Sequence, residues 1–279
     1  MTVASGYHAS VAIIRVDDSD DPRLAEYRNV PDHQLLAGQG LFVAEGRLVV
    51  RRLIEAHRFA TRSIMVTDTA LVPLQDLLDT REALPVYLVP QAVMDGITGF
   101  NVHRGCLAIG ERAPSSRWRD LTTNARLAVG LERIGNADNV GSVFRSASAF
   151  GAEVVLLERN CTDPLYRKAI RTSMGAALTM PFAEAEPWPD VLRELAREGW
   201  VVMAMTPSPR AQPLREIVPA VAGRPIIVVV GHEGDGVSLD ALDACTHHAR
   251  IPMTAGVDSL NVATAAAIAL YALTAHDFA

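Results

Sequence analysis

The sequence predicts an α/β protein whose C-terminal part forms a mainly parallel sheet, with a smaller α/β domain in front of it. Strongly apolar segments such as Ile226–Val230 alternate with segments of helical periodicity, which is typical of parallel sheets that helices cover on both faces. The 279 residues are enough for two modest domains. A polar stretch, residues 111–124, separates two such alternating regions. We therefore expect one domain over residues 1–111, a linker over 112–124 and a second domain over 125–279.

The front domain is predicted to open with an irregular, acidic segment over residues 1–34 and to continue with a helix over 45–59. In that helix the apolar residues recur at helical spacing and most arginines fall outside the apolar stripe. Short apolar runs then predict three strands, with helical patterns between them. The predicted strands are 63–67, 86–89 and 106–110, and the predicted helices are 71–78 and 91–97.

Strand and helix patterns alternate throughout the second domain. Ligands of parallel sheets bind at the carboxyl ends of the strands, so we expect the functional site in the loops after Leu131, Val230 and Ile251. The predicted strands are 126–131, 153–157, 200–205, 226–230 and a short one that ends at Ile251, and the predicted helices are 138–150, 164–175, 191–198, one from Ser238 and 259–275.

Composition excludes several classes of protein. The hydrophobic fraction is 49%, and no low-complexity or collagen-like tract occurs. Cys106, Cys161 and Cys245 lie far apart without a CxxC pair, which favours reduced thiols over a zinc ribbon or a disulfide framework. Neither a signal peptide nor an apolar stretch long enough to cross a bilayer is recognisable. We therefore expect a cytoplasmic protein with no membrane partner.

The charge balance bears on nucleic-acid binding. The chain carries 26 basic and 32 acidic residues, a net charge of −6, and this sign disfavours binding of nucleic acid by bulk attraction. Lys168 is the only lysine. The arginine bias suits bidentate binding of phosphate, but GC-rich coding would produce the same bias.

The loop after Val230 contains three glycines within residues 231–236, called the glycine loop below. Glycine lets the backbone approach a ligand closely, and it equally serves a plain tight turn between a strand and a helix. The spacing is not GxGxxG, which disfavours a dinucleotide-binding oxidoreductase. His232 has no second histidine four residues later, so the loop is not a zinc-protease motif either.

The loop after Leu131 leads into a helix that carries Asn139 and, six residues later, Arg145. Asp138 or Asn139 is the predicted helix cap, and Arg145 would project into the ligand edge of the sheet. A capped helix with a solvated arginine explains the same residues.

The loop after Ile251 ends in Ser259 and Asn261, in front of an apolar helix that is predicted to start at Asp258 or Ser259. Here too, a plain N-terminal capping role competes with a functional one.

The three loops together resemble the signature motifs of the SpoU (TrmH-type) RNA 2′-O-ribose methyltransferases, which belong to the SPOUT superfamily. The resemblance covers roughly residues 126–275, and residues 171–176 resemble the R-x-S-x-G-A segment that members carry between the first two motifs. The matching residues are Asn139-x-Gly141-x-x-x-Arg145, Gly231-x-Glu233-x-x-Gly236, and Ile251-Pro252-Met253 leading to Ser259-Leu260-Asn261-Val262-x-x-Ala265.

Two segments of the front domain resemble a substrate-binding domain, related to ribosomal protein L30e, that many members carry. These are residues 41–46, followed by an arginine-rich helix, and residues 105–108. One departure from the family pattern is Asn-Ala-Asp-Asn at 136–139, where many members have Asp-Pro-x-Asn. The resemblance therefore leaves the RNA target, rRNA or tRNA, open.

The resemblance implies that the C-terminal domain forms a deep trefoil knot and binds S-adenosyl-L-methionine there. No metal is implied. By match to the family's binding positions, the cofactor-binding residues are Gly231, Gly236, Ile251, Met253 and Leu260.

The family pattern also implies the catalytic residues. It places Arg145 beside the ribose 2′-hydroxyl, and because a guanidinium is a poor base we expect it to orient the hydroxyl and stabilise developing alkoxide charge. Asn139 and Glu233 would fix Arg145 and the substrate, and Ser259 and Asn261 would shape the site.

The resemblance further implies a homodimer through the C-terminal domain, in which active-site residues can be shared. Two other functions stay open: a non-catalytic RNA-binding relative and a nucleotide-dependent oxidoreductase.

Local arginines would hold the RNA despite the acidic net charge. The candidate RNA-binding residues are Arg47, Arg51, Arg52, Arg167, Lys168 and Arg171.

Overall fold

The computed structural model describes residues 13–28, 31–81, 83–98 and 105–274. The chain divides into two compact units. The first unit contains the residues up to Ala113 together with Leu165–Arg171, and the second unit contains Pro114–Pro164 and the residues from Thr172 on. The end of the last predicted helix, at Ala275, lies outside the described residues.

The first unit is built around a five-stranded mixed sheet of order β1-β4-β3-β5-β2. Strands β1, β4 and β3 pair in parallel, and β5 pairs antiparallel with β3 and β2. The strands are β1 (Ile13–Arg15), β2 (Leu41–Glu45), β3 (Ala60–Val66), β4 (Val86–Leu88) and β5 (Cys106–Glu111). The helices are α1 (Asp32–Gln39), α2 (Arg47–Ala56), α3 (Asp68–Leu71), α4 (Gln75–Leu78) and α5 (Gln91–Thr98), with 3-10 turns at Pro22–Tyr27 and Val72–Leu74.

The three predicted strands and the 91–97 helix are confirmed, but the predicted 45–59 helix is too long. Glu45 ends the buried strand β2, and Gly46, with φ of 93°, turns the chain into α2. Three elements were not predicted: β1, which has only three residues, β2, whose buried run carries no periodicity, and α1, which buries only Leu35 and Leu36. The predicted 71–78 helix breaks into α3, a 3-10 turn and α4, since Pro73 lies in the middle.

The second unit contains an entirely parallel seven-stranded sheet of order β10-β12-β9-β11-β6-β7-β8, which confirms the predicted α/β fold with a parallel sheet. Its strands are β6 (Leu127–Leu131), β7 (Val154–Leu157), β8 (Phe182–Glu184), β9 (Val201–Met205), β10 (Gln212–Pro213), β11 (Ile226–Val230) and β12 (His247–Arg250). The helices of this unit are α6 (Trp118–Thr122), α7 (Ala137–Ala149), α9 (Ala176–Thr179), α10 (Asp190–Arg197), α11 (Leu214–Val221), α12 (Leu239–Ala244) and α13 (Val262–Thr274). Helix α8 (Arg167–Thr172) belongs, except for its last residue, to the first unit.

Helices cover both faces of this sheet. Helices α6, α10 and α12 pack on one face, where Trp118 and Leu195 join a core of alternate strand residues such as Ile227 and Val229. Helix α13 packs against β9, β11, α7 and α11. Both faces of the central strands are therefore buried, which explains why β11 consists only of isoleucine and valine.

The structure after Ala113 differs from the prediction in three ways. The stretch predicted as a linker contains α6, because Trp118 anchors it in the core. The predicted 164–175 helix splits into α8 and α9, since Met174 and Gly175 adopt left-handed backbone angles, with φ of 54° and 84°. Strands β8 and β10 and helix α11 were not predicted.

Candidate active site at the carboxyl ends of the parallel strands

A cavity of about 640 Å³ lies at the carboxyl ends of β9, β11 and β12. The loops after Val230 and Ile251 line it, as the sequence predicts, whereas the loop after Leu131 is not among its lining segments. The residues that line it are 205–208, 230–237, Leu239, Leu242, Ile251, Met253, 259–262 and Ala265.

All five predicted cofactor-binding residues line this cavity, and so do Glu233, Ser259 and Asn261. Other lining residues were not predicted: residues 205–208, which follow β9, and the α12 residues Leu239 and Leu242. Residues 205–208 could have been found, because residues 200–205 were predicted as a strand, and ligands bind in the loops at the carboxyl ends of parallel strands. That loop carries neither a glycine cluster nor an Asn–Arg pair, so no local signal singled it out.

The glycine loop is both a tight turn and a wall of the cavity. The Gly236 N–H donates to the His232 carbonyl over 2.9 Å, and the Gly234 and Asp235 N–H groups donate to His232 Nδ1 over 3.1 and 3.2 Å. A Cβ atom on Gly231 would overlap the backbone of Gly236 and Val237. Gly231 is therefore required by the loop's own backbone, and Gly236 by its left-handed φ of 71°.

A chain of hydrogen bonds joins Asn261, Asn139 and Glu233, one residue from each of the three segments that resemble the family motifs. Asn261 Oδ1 accepts from the backbone N–H groups of Ala263 and Thr264, at 2.9 and 3.3 Å, and so caps α13. This leaves Asn261 Nδ2 to donate to Asn139 Oδ1 at 2.9 Å, and Asn139 Nδ2 donates to Glu233 Oε1 at 2.9 Å. Each amide orientation is thus determined by its neighbour.

The hydrogen-bonded chain ends at the carboxylate of Glu233. Burial opposes its ionisation, but the hydrogen bonds from the Asn139 amide and from backbone N–H groups outweigh that effect, so the pKa of Glu233 lies below its ordinary value. Asn139 is only 8% exposed. The arrangement therefore holds a carboxylate at the cavity wall through a buried amide.

The two predicted helix starts need correction. Asn136, not Asp138 or Asn139, caps α7, because its side chain accepts from the Asp138 N–H. Helix α13 begins at Val262 behind Asn261, not at Asp258 or Ser259. Asn139 is thereby free to bond Glu233 from inside the first turn of α7.

Arg145 lies on the exposed side of α7 and does not line the cavity. Within the described part of the chain it makes no hydrogen bond or ion pair. The structure thus joins Asn139 and Glu233 to each other and not to Arg145.

The candidate RNA-binding residues all belong to the first unit, and they differ in how far they are engaged. Arg51 is held by Asp76 (2.7 and 3.0 Å), Glu55 (3.3 Å) and the Pro73 carbonyl (2.7 Å). Arg47, one turn earlier on α2, is exposed and has no such bond among the described residues.

The remaining candidates lie on α2 and α8. Arg52 is half-buried, whereas Lys168 and Arg171 are exposed. Arg171 Nη1 lies 3.9 Å from Glu45 Oε2, and the Arg167 backbone N–H donates to Asp32 Oδ2 at 3.0 Å.

Among the described residues, no group of three or more His, Cys, Asp and Glu side chains is placed to hold a metal ion. Over the same residues, no helix combines the length and apolar character that a membrane crossing requires.

Comparisons with known proteins agree with this architecture. The sequence matches the SpoU rRNA methylase family over residues 126–271. It is 41% identical over 265 residues to an uncharacterized tRNA/rRNA methyltransferase of Mycobacterium tuberculosis, covering 93% of this chain and 91% of that protein.

Two solved structures resemble the whole chain. One is an RNA 2′-O ribose methyltransferase, with a TM-score of 0.75 and 25% identity over 95% of this chain and 100% of that one. The other is an AdoMet-bound rRNA methyltransferase from Sinorhizobium meliloti, with a TM-score of 0.82 and 24% identity over 95% of this chain and 98% of that one. The second likeness is one of fold.

Proposed function

The chain belongs to the SpoU rRNA methylase family, and we propose on that basis that it methylates a ribose 2′-hydroxyl of rRNA or tRNA with S-adenosylmethionine as methyl donor. The observation that carries the proposal is the hydrogen-bonded chain Asn261–Asn139–Glu233 at the wall of the 640 Å³ cavity. It brings together residues of all three signature motifs. The solved relative named as an RNA 2′-O ribose methyltransferase supports the choice of the ribose hydroxyl.

The cavity suits the cofactor in size and lining. Its volume falls in the range of small-molecule sites, which are mostly apolar with a few polar groups. Ile251, Met253 and Leu260 supply apolar surface, and the glycine loop supplies backbone close to the ligand space. Bound S-adenosylmethionine would supply an activated methyl group on a sulfonium sulfur. The family resemblance supports a trefoil knot in the same loops.

The catalytic roles follow from what each side chain can donate or accept. Arg145 is a permanent cation with a planar set of donors, so we assign it to orienting the hydroxyl and stabilising negative charge on its oxygen. Asn139 and Asn261 hold Glu233 and the start of α13 in place. Ser259, exposed at the cavity wall, would contact the substrate.

A homodimer through the second unit would bring Arg145 to the partner's cavity. On α7, Arg145 shares a helix face with exposed Ser148 and Ala149. On the adjacent α13, Ile268 and Tyr271 are 36% and 59% exposed. Aromatic residues and arginine are enriched at protein–protein interfaces, so Tyr271 and Arg145 on these two packed helices support a surface that another chain covers.

We assign RNA binding to the first unit, since two of its segments resemble the substrate-binding domain, related to ribosomal protein L30e, that many family members carry. Arg47 is the leading candidate because it is exposed and makes no bond within the described part of the chain. Arg51 is the weaker candidate, since its guanidinium is bonded to Asp76 and Glu55. Arg52, Arg167, Lys168 and Arg171 complete the set, and of these Lys168 and Arg171 are exposed.

The proposal is tested by calorimetry and by RNA mapping. Titration with S-adenosylmethionine should give binding, whereas NAD(P) should not. Ribose-methylation mapping of total RNA with and without the gene should reveal the modified nucleotide. Cofactor binding without any lost methylation would favour a non-catalytic RNA-binding relative, and NAD(P) binding would favour an oxidoreductase.

A further inference from the structure

Glu132, the residue after β6, bonds the chain on both sides of the glycine loop. Its backbone N–H donates to the carbonyl of Val230, which precedes the loop, over 3.0 Å. Its carboxylate accepts from Ser238, two residues beyond the loop: Oε2 from the backbone N–H at 2.9 Å and Oε1 from the hydroxyl at 2.6 Å. Glu132 is 3% exposed. One buried residue thus ties the two ends of the loop together.

We propose that Glu132 is a positioning residue that keeps the cofactor cavity formed by closing the base of the glycine loop. The loop lines the cavity, but Glu132 does not, so it acts through the loop and not on a ligand. Hydrogen bonds to an ionised carboxylate are about twice as strong as neutral ones. The inference rests on the proposed function only in naming S-adenosylmethionine as the ligand.

The same sheet offers a matched control. Glu186, which follows β8, accepts from the backbone N–H groups of Arg159 and Trp188 at 3.0 and 3.2 Å. It therefore also ties a neighbouring loop through a carboxylate. None of these three residues lines the cavity, so removal of the Glu186 carboxylate tests for general stabilisation alone.

The experiment compares Glu132→Leu, Glu132→Gln and Glu186→Leu in the full-length protein. Calorimetry measures the Kd of S-adenosylmethionine, and hydrogen exchange measures the protection of residues 231–238 without ligand. We expect Glu132→Leu to raise the Kd at least about tenfold, the cost of losing bonds to a charged group, and to speed exchange in the loop. Glu132→Gln should recover most of the affinity, because its amide can accept from the Ser238 N–H and donate to the hydroxyl. Glu186→Leu should leave both readouts unchanged.

Two results would overturn the inference: an unchanged Kd in folded Glu132→Leu, or equal effects of Glu132→Leu and Glu186→Leu. If the wild-type protein binds no S-adenosylmethionine, the proposed function fails, but loop exchange in the ligand-free protein still decides the role of Glu132. If Glu132→Leu does not fold, Ser238→Ala removes one of the two bonds to the carboxylate, together with the side-chain cap of α12, and unchanged loop exchange in that variant would contradict the role.

Discussion

The side-chain amide of Asn261 donates to Asn139 Oδ1 over 2.9 Å, across a sequence separation of 122 residues. Asn261 caps α13 and Asn139 lies in the first turn of α7, so the bond joins the starts of two helices that pack together. Through Asn139 it extends to Glu233 in the glycine loop. The position of the Glu233 carboxylate therefore depends on both asparagines.

Replacing Asn139 by aspartate should disrupt this chain. The variant loses the donor to Glu233 and places two carboxylates within hydrogen-bonding distance, so we expect the free energy of unfolding to fall by about 2–3 kcal/mol and cofactor binding to be lost. Urea unfolding and calorimetry measure both. Asn160→Asp is the control, since Asn160 donates to Glu158 in the same way away from the cavity. Retention of cofactor affinity in Asn139→Asp would separate Asn139 from the site.

The pH dependence of stability should report the lowered pKa of Glu233. A carboxyl whose pKa is lower in the folded than in the unfolded state stabilises the protein above its unfolded value and loses that contribution as pH falls. We expect the stability advantage of wild type over Glu233→Gln to shrink below the ordinary pKa of 4.5. Urea unfolding of both proteins between about pH 3 and pH 7 measures it. A difference that is independent of pH would contradict the assignment.

Arg145→Ala should abolish methyl transfer and leave the Kd of S-adenosylmethionine unchanged, because Arg145 does not line the cavity. We expect kcat/KM to fall more than tenfold, a loss above about 1.4 kcal/mol. Arg145→Lys should be nearly as inactive, since a single ammonium does not reproduce the planar donor set. A variant that keeps more than about a tenth of the wild-type rate would remove Arg145 from the catalytic centre.

Gly231→Ala should open the glycine loop. The added methyl group would overlap the backbone of Gly236 and Val237, which cannot move away as a flexible side chain could. We expect weaker cofactor binding and a lower melting temperature. Gly135→Ala serves as control, because a Cβ there meets no atom within 4 Å. Equal behaviour of the two variants would show that the loop accommodates the methyl group.

Alanine substitutions of two arginines of α2 should distinguish a residue that binds RNA from one that stabilises the fold. Arg47→Ala should weaken RNA binding and lower the salt dependence of the affinity by about one phosphate contact, without a change in melting temperature. Arg51→Ala should lower the melting temperature and leave RNA affinity unchanged, because Asp76 already binds its guanidinium. Filter binding at several salt concentrations and thermal melting measure the two effects. The reverse pattern would assign the RNA contact to Arg51.

The sequence alone determined the parallel fold of the second unit and the family. Five consecutive β-branched residues predicted β11 with its observed ends. The family prediction is confirmed by the match over residues 126–271. Both conclusions rest on local features: a continuous apolar run can only be a buried strand or helix segment, and motif residues keep their spacing within a single loop.

The tertiary structure decided which of these residues meet. No local pattern shows that Asn261 bonds Asn139, that Asp76 binds Arg51, or that Trp118 anchors α6 within a predicted linker. Each of these contacts joins elements that are distant in sequence, and the order of the strands in the sheet brings them together. Periodicity reports which face of an element is buried, but not which element covers it, because that choice depends on packing across the whole unit.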